Sequence, residues 1–177
     1  MKKYFILGAA IIVFGLLINY TLGGFASIEP KMVDVHDYTI YGAAFEGSYK
    51  SDQLTELVEK MRVVQKGLGG KADVVIVNYL DQNKENIGLV KNFVGIRANE
   101  ALPDSITKTF EKRIIKAKKA LRAKVKIKPL VMPSPEKVKK KAFEMAEFEG
   151  VKLQNLSIEQ YLDTGILVVE FPLENED

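Results

Sequence analysis

Alternation of apolar and polar residues marks the strands. Leu121, Ala123, Val125 and Ile127 alternate strictly with Arg122, Lys124, Lys126 and Lys128. Period two over this run predicts a strand with one apolar face and one wet, basic face. Ile158-Glu159-Gln160-Tyr161-Leu162-Asp163 and Ile166-Leu167-Val168-Val169-Glu170-Phe171-Pro172 flank Thr164-Gly165, which predicts a hairpin. Its first strand carries Ile158, Gln160 and Leu162 on one face and Glu159, Tyr161 and Asp163 on the other. Residues 72–81 and 88–96 predict an earlier hairpin, with a solvent-facing turn over 82–87. Residues 33–42 alternate in part and read as the first strand, followed by a lead into a helix at 43–49. The stretch 109–117 fits a strand or a helix equally well.

Helical spacing appears twice. Leu54, Leu57, Val58, Met61 and Val64 make an apolar stripe behind Ser51, a good N-cap, and Gly67-Leu68-Gly69-Gly70 stops it. Val138, Ala142, Met145 and Ala146, widened by Phe143, follow Ser134 and Pro135 and end at Gly150. Residues 97–106, with Pro103, cross from one hairpin to the next helix-bearing unit. Aligning Asp81 with Asp163 puts Tyr79 on Tyr161, Ile76 on Ile158 and Val77 on Glu159. The chain therefore reads as an α+β fold of duplicated strand–helix–strand–strand units, forming a pseudo-twofold antiparallel sheet. On that alignment Glu159 stands where its repeat partner is apolar, a sign that it was placed for chemistry.

The N-terminus adds a different element. After Met1-Lys2-Lys3, no charged residue occurs from Tyr4 to Ile28. A helix over residues 4–20 spans roughly 26 Å, and residues 21–25 bring it to the bilayer core of about 30 Å. The expected organisation is a hydrophobic anchor helix at 1–25, a linker at 26–32 and one domain at 33–177. Lys2 and Lys3 against Lys31 place the N-terminus in the cytoplasm and the domain on the exocytoplasmic side. The competing reading is a signal peptide cleaved near Ala26, giving a secreted or periplasmic protein. The length of the apolar run favours the single-pass anchor, with membrane contact through residues 4–25.

Composition narrows the chemistry. A chain of 177 residues with 47% hydrophobic content supports one ordinary core. No cysteine is present, which excludes disulfides and thiolate chemistry, and His36 is the single histidine. No metal site and no cofactor are expected. Leaving Lys2 and Lys3 aside, 24 basic residues face 23 acids, so the domain is nearly neutral. Residues 108–141 nevertheless hold fourteen basic residues and two acids. Without interleaved aromatics or a recognisable motif, this stretch reads as a solvated face, or one turned to anionic headgroups, and no nucleic-acid partner is expected.

Glu159 and Tyr161 share one strand face and are the leading candidates for a site. A solvated sheet face is the ordinary alternative for such a pair. Several features together resemble the GyrI-like small-molecule-binding domain, also found as the effector-binding part of multidrug-sensing regulators. They are the order of elements, Gly47-Ser48-Tyr49 before the first helix, Val94-Gly95-Ile96, Ile158-Glu159-Gln160-Tyr161 and Phe171-Pro172-Leu173. The resemblance covers residues 33–173. It implies a concave cleft with aromatic walls and a central acid, here Glu159 followed by Tyr161 of the glutamate-x-tyrosine motif. It also implies cationic, planar or amphipathic ligands. The expected ligand-binding set is Glu159, Tyr161, Tyr79, Tyr49 and Phe93, of which Tyr49 and Phe93 stand in second rank together with Tyr41. Some members are reported to hydrolyse strained cyclopropane-containing compounds, which would make Glu159 the acid or base. Those members use tryptophan in the cleft, and this chain has none. The structurally similar SOUL type of haem binder would require an axial ligand. The leading expectation is a membrane-tethered binding domain for small hydrophobic or cationic molecules.

Overall fold

The structure, a computed structural model, describes residues 28–81, 83, 86–98, 100–127, 133–162 and 164–175. The expected anchor at 4–25 and Asp163 lie outside the described residues. Among the described residues no helix is long and apolar enough to cross a membrane.

Eight strands alternate with three helices in these residues. They are β1 (Lys31–Asp34), β2 (Tyr38–Ser48), α1 (Asp52–Gly67), β3 (Ala72–Tyr79), β4 (Leu89–Ala98), α2 (Asp104–Thr107), β5 (Glu111–Ile115), β6 (Lys119–Lys126), α3 (Pro135–Glu149), β7 (Leu156–Leu162) and β8 (Ile166–Pro172). The helix ends follow their caps. Ser51 accepts the Gln53 N–H and Ser134 accepts the Lys137 N–H, each satisfying a first-turn donor. Gly150 ends α3 with a φ of 66°, a left-handed conformation that glycine adopts without steric cost.

All the strands form one antiparallel sheet in the order β1-β6-β8-β7-β3-β4-β2-β5. The units β2-α1-β3-β4 and β6-α3-β7-β8 contribute mirrored halves, and β3 and β7 meet at the centre. The first strand differs from its expected extent. It begins within the expected linker at Lys31, breaks at residues 35–37, and resumes as β2 through Ser48, where a lead into the helix was expected. Lys31 lies opposite Arg122, and Tyr38 lies opposite Ile115. Seven residues forward on one side match seven back on the other, so one register runs through both pairings. The two corners are tied together. The Val35 N–H donates to the Lys118 carbonyl at 2.9 Å, and the Ala117 N–H donates to Asp37 Oδ1 at 3.1 Å. Each unit thus lends an edge strand to the other half, which curls the sheet upon itself.

The curl buries both faces. Met61 and the α1 stripe cover Val74, Val94 and Ile96, while Val138, Ala142 and Ala146 of α3 cover Leu121, Val169 and Phe171. The inner, concave face carries Tyr38, Ile40, Val75, Val77, Phe93 and Ile158. Burying each aliphatic or aromatic side chain of this size stabilises the fold by about 1.5–3 kcal/mol. The inner face also holds a buried carboxylate. Glu170 is 2% exposed and is paired with Arg122, so the face of β6 expected to be wet contributes one inward cation.

The pairing corrects the repeat alignment. Residues opposite one another in an antiparallel ladder point to the same face. Ile76 lies opposite Glu159 and Val74 opposite Tyr161, on the helix side, whereas Val77 lies opposite Ile158 and Tyr79 opposite Leu156, on the inner side. Tyr79 is therefore not equivalent to Tyr161, nor Val77 to Glu159. The two halves match with even positions of β3 on odd positions of β7.

Candidate functional site

The N-terminal ends of α1 and α3 stand apart over the central strands and leave a cavity of about 540 Å³. Leu54 and Val138 supply its helical walls, and Val169 and Phe171 of β8 supply apolar floor. The polar floor is Asn78, Asn92, Ser157 and Glu159. These come from β3, β4 and β7, the strands that the pseudo-twofold brings to the middle.

Glu159 has apolar neighbours on both adjoining strands, Ile76 on β3 and Val169 on β8. Its charge is met by neutral donors. The Tyr161 hydroxyl donates to Oε2 at 2.8 Å, and the Asn78 amide donates to Oε1 at 3.1 Å. The same Asn78 amide lies 3.4 Å from Ser157 Oγ. Burial raises the Glu159 carboxyl above the ordinary carboxylate range, and the bonds from Tyr161 and Asn78 offset only part of this. The Tyr161 phenol is also raised, first by burial and then by the neighbouring Glu159 charge. The arrangement is a carboxylate in an apolar cleft, oriented by two hydrogen bonds, with a dipolar rather than ionic environment. A positive charge entering the cleft would find the partner that the protein does not supply.

The expected residues divide between the two faces. Glu159 and Tyr161 come together as their spacing indicated. Tyr49 stands at the mouth, 56% exposed, with its ring beside Gly88 and its N–H bonded to the Gly88 carbonyl at 3.2 Å. Tyr79 turns to the inner face, where its hydroxyl accepts from Arg113 Nη1 at 3.0 Å, and it borders the mouth only from the end of the sheet. Phe93 is not among the residues that line the cleft: it is 0% exposed on the inner face, with the Arg113 guanidinium 4.8 Å from its ring centroid. Tyr41 is not among the lining residues. His36 is exposed on the 35–37 corner and is not brought to the cleft, where an axial haem ligand would stand.

Sequence reasoning missed Asn78, Asn92 and Ser157. The signal was available: a polar residue near the end of each apolar strand, at positions that the corrected parity puts on one face.

No family model matches the chain, and no curated protein matches it. Solved structures do resemble it in fold. The EcmrR C-terminal domain is 13% identical and superposes with a TM-score of 0.56 over 84% of this chain and 99% of that one. A hydrolase from Listeria innocua is 8% identical, with a TM-score of 0.57 over 88% of this chain and 98% of that one. An integron cassette protein from Vibrio cholerae is 12% identical, with a TM-score of 0.51 over 84% and 99%. At such identities the likeness shows the fold alone, and it supports the GyrI-like arrangement that the sequence features suggested.

Proposed function

We propose that this chain binds small hydrophobic or amphipathic cations in the cleft between α1 and α3, with Glu159 as the counter-ion. The observation that carries this reading is a partly buried carboxylate whose partners, Tyr161 and Asn78, are both neutral. Removing a carboxylate from water is costly unless a positive partner is found, so an entering cation recovers that cost. Tyr49 at the mouth offers an aromatic face worth roughly 0.5–2 kcal/mol to a cation. Residues 4–25 hold the domain at a membrane in this proposal, on the exocytoplasmic side. Support for that part is the uncharged run behind Lys2 and Lys3.

The test is titration of fluorescent organic cations into the full chain and its Glu159→Gln variant. Saturable binding that the variant weakens at least tenfold supports the reading. Equal binding by both proteins, or by neither, refutes it. Flotation of the full chain with vesicles, resistant to carbonate, tests the anchor separately. Recovery of a chain shortened to about Ala26 would instead establish cleavage.

A hydrolytic reading of the same cleft rests on a carboxyl that burial raises above its ordinary range, with a phenol bonded to it, the pairing general acid–base catalysis uses. One fold relative is named a hydrolase. Turnover of a strained electrophile, abolished in Glu159→Gln, would favour it, whereas binding without turnover would not.

A further inference from the structure

Three polar side chains stand in a row across the cleft floor. Asn78 lies opposite Asn92 on β4 and opposite Ser157 on β7, so all three share the helix-side face of neighbouring strands. All three line the cavity. Two of them are engaged with each other and with the carboxylate. The Asn78 NH2 group donates to Glu159 Oε1 at 3.1 Å and lies 3.4 Å from Ser157 Oγ. Asn78 thus directs its donors toward β7, away from β4.

Asn92 is the third member, and it is 7% exposed. Its neighbours on the same face are Phe45 across β2, Val90 and Val94 along β4, and Asn78 across β3. Three of these four are apolar. Among the described residues the Asn92 side chain makes no hydrogen bond, neither to Asn78 nor to any other group. An amide withdrawn from water without a partner is costly, and native folds leave few of them. Between Val90 and Val94 an aliphatic side chain would serve packing better. The amide instead borders the cavity, where a bound molecule can reach it. Its distance from the carboxylate is set by the strands. Glu159 leans onto Asn78, and Asn92 stands one strand beyond, about 5 Å further on. A ligand with its ammonium on Glu159 therefore reaches Asn92 with a group about 5–8 Å from its nitrogen. Asparagine offers a donor and an acceptor together, and a second carboxamide answers both.

We propose that the cleft selects organic cations that also carry a carboxamide, the ammonium meeting Glu159 and the carboxamide pairing with Asn92. Asn92 is then the residue that sets specificity among cations. This deepens the cation-binding reading and rests on it.

The experiment uses the full chain in dodecyl maltoside, which carries neither ammonium nor carboxamide, and calorimetry corrected with protein-free micelles. The probes are 6-(benzylamino)hexanamide and its isostere N-benzyl-6-methylheptan-1-amine, in which an isopropyl group replaces the carboxamide. The measured quantity is the ratio of the two affinities, amide probe over isostere. That ratio should fall about fivefold or more from wild type to Asn92→Leu, the scale of one hydrogen bond. The isostere should bind Asn92→Leu at least as tightly as wild type, which shows that the cleft is intact. Asn92→Val, with a smaller side chain suited to a strand, gives the same comparison where Asn92→Leu fails to melt cooperatively. A ratio that changes less than about twofold in the folded variants, with Glu159→Gln still weakening both probes, overturns this proposal and leaves the cation reading intact. Binding of both probes that Glu159→Gln does not weaken, or no binding of either to the folded wild type, overturns both.

Discussion

The Tyr161 hydroxyl donates to Glu159 Oε2 at 2.8 Å from two positions along the same strand. Phenol and carboxylate therefore share one face of β7, and the phenol sets how readily the carboxylate keeps its charge. Tyr161→Phe removes a bond that lowers the Glu159 pKa, so the pKa should rise further. The midpoint of cation binding against pH should move up in the variant, with affinities converging once both carboxylates are ionised. A binding–pH profile checks this, and an unmoved midpoint would mean that the bond does not bear on the ionisation.

Glu159 should also mark the pH dependence of stability. Its pKa is raised in the fold, so the native state keeps the proton to higher pH than the unfolded chain does. The resulting stabilisation is complete below the unfolded carboxylate pKa and is lost as pH rises through the folded one. The amide introduced by Glu159→Gln would carry no charge, with its carbonyl accepting from Tyr161 and its NH2 group facing an Asn78 turned about its own amide. The variant should therefore melt higher than wild type at pH 8, with the gap closing toward pH 4. Thermal melts across that range are the measurement. A gap that widens on acidification would contradict the sign.

Tyr79 and Phe93 separate the two faces of the sheet by experiment. Tyr79→Phe removes the bond from Arg113 and should cost about 1 kcal/mol of stability. Because that bond lies on the inner face, affinity for a simple organic cation should change less than about twofold, well under the factor of ten that 1.4 kcal/mol represents. Phe93→Leu should likewise destabilise without weakening that binding, since the ring is fully buried beneath the cleft. Paired denaturation and titration data would decide it. A tenfold loss of cation affinity in either variant, with the fold intact, would return these residues to the site.

The same pair shows what was legible in the sequence. Caps at Ser51 and Ser134, the two helical stripes and both hairpins stood out because each rests on local chemistry, and the structure has them all. Side-chain parity on β3 did not, because the curl of the sheet buries both faces. Val74 and Val75 are both buried, so no alternation distinguishes inside from outside. Asp81 and Asp163 were poor anchors for an alignment, since the β3–β4 connection is much longer than the β7–β8 turn. The Glu159–Tyr161 face was readable because β7 itself alternates. Glu170 went unremarked among apolar neighbours, although a lone acid in such a run is a signal of an internal partner.

Gly42 and Gly95 face each other across β2 and β4, and neither has a positive φ. Their requirement is space. A methyl at Gly42 would lie 2.1 Å from the Val94 carbonyl oxygen, and one at Gly95 would lie 2.5 Å from the Tyr41 carbonyl oxygen. Both obstacles are backbone atoms, which no rotamer change can move. Gly42→Ala and Gly95→Ala should each destabilise at or beyond the upper end of the about 1–3 kcal/mol typical of overpacking. Urea denaturation measures this. Losses below about 0.5 kcal/mol would show that the strands can part without disturbing the curl.

Arg122 and Glu170 test the inner face. Glu170 is almost wholly buried, and Arg122 is the cation paired with it. Deleting the cation alone, as in Arg122→Met, leaves an uncompensated carboxylate in the core and should cost about 3–5 kcal/mol. Removing both charges, as in Arg122→Met with Glu170→Leu, should recover most of that loss, because the desolvation cost of the pair disappears with it. Tyr38 sharpens the comparison. Its hydroxyl is buried beside Glu170, and burial, then the Glu170 charge and hydrogen bonding to that carboxylate, push the phenol well above its ordinary pKa. In the double variant the Glu170 contribution vanishes, so the Tyr38 titration should move back toward lower pH. Ultraviolet titration of tyrosinate, alongside urea melts of the single and double variants, reads both effects. A double variant no more stable than Arg122→Met would mean that the pair contributes through packing rather than through charge.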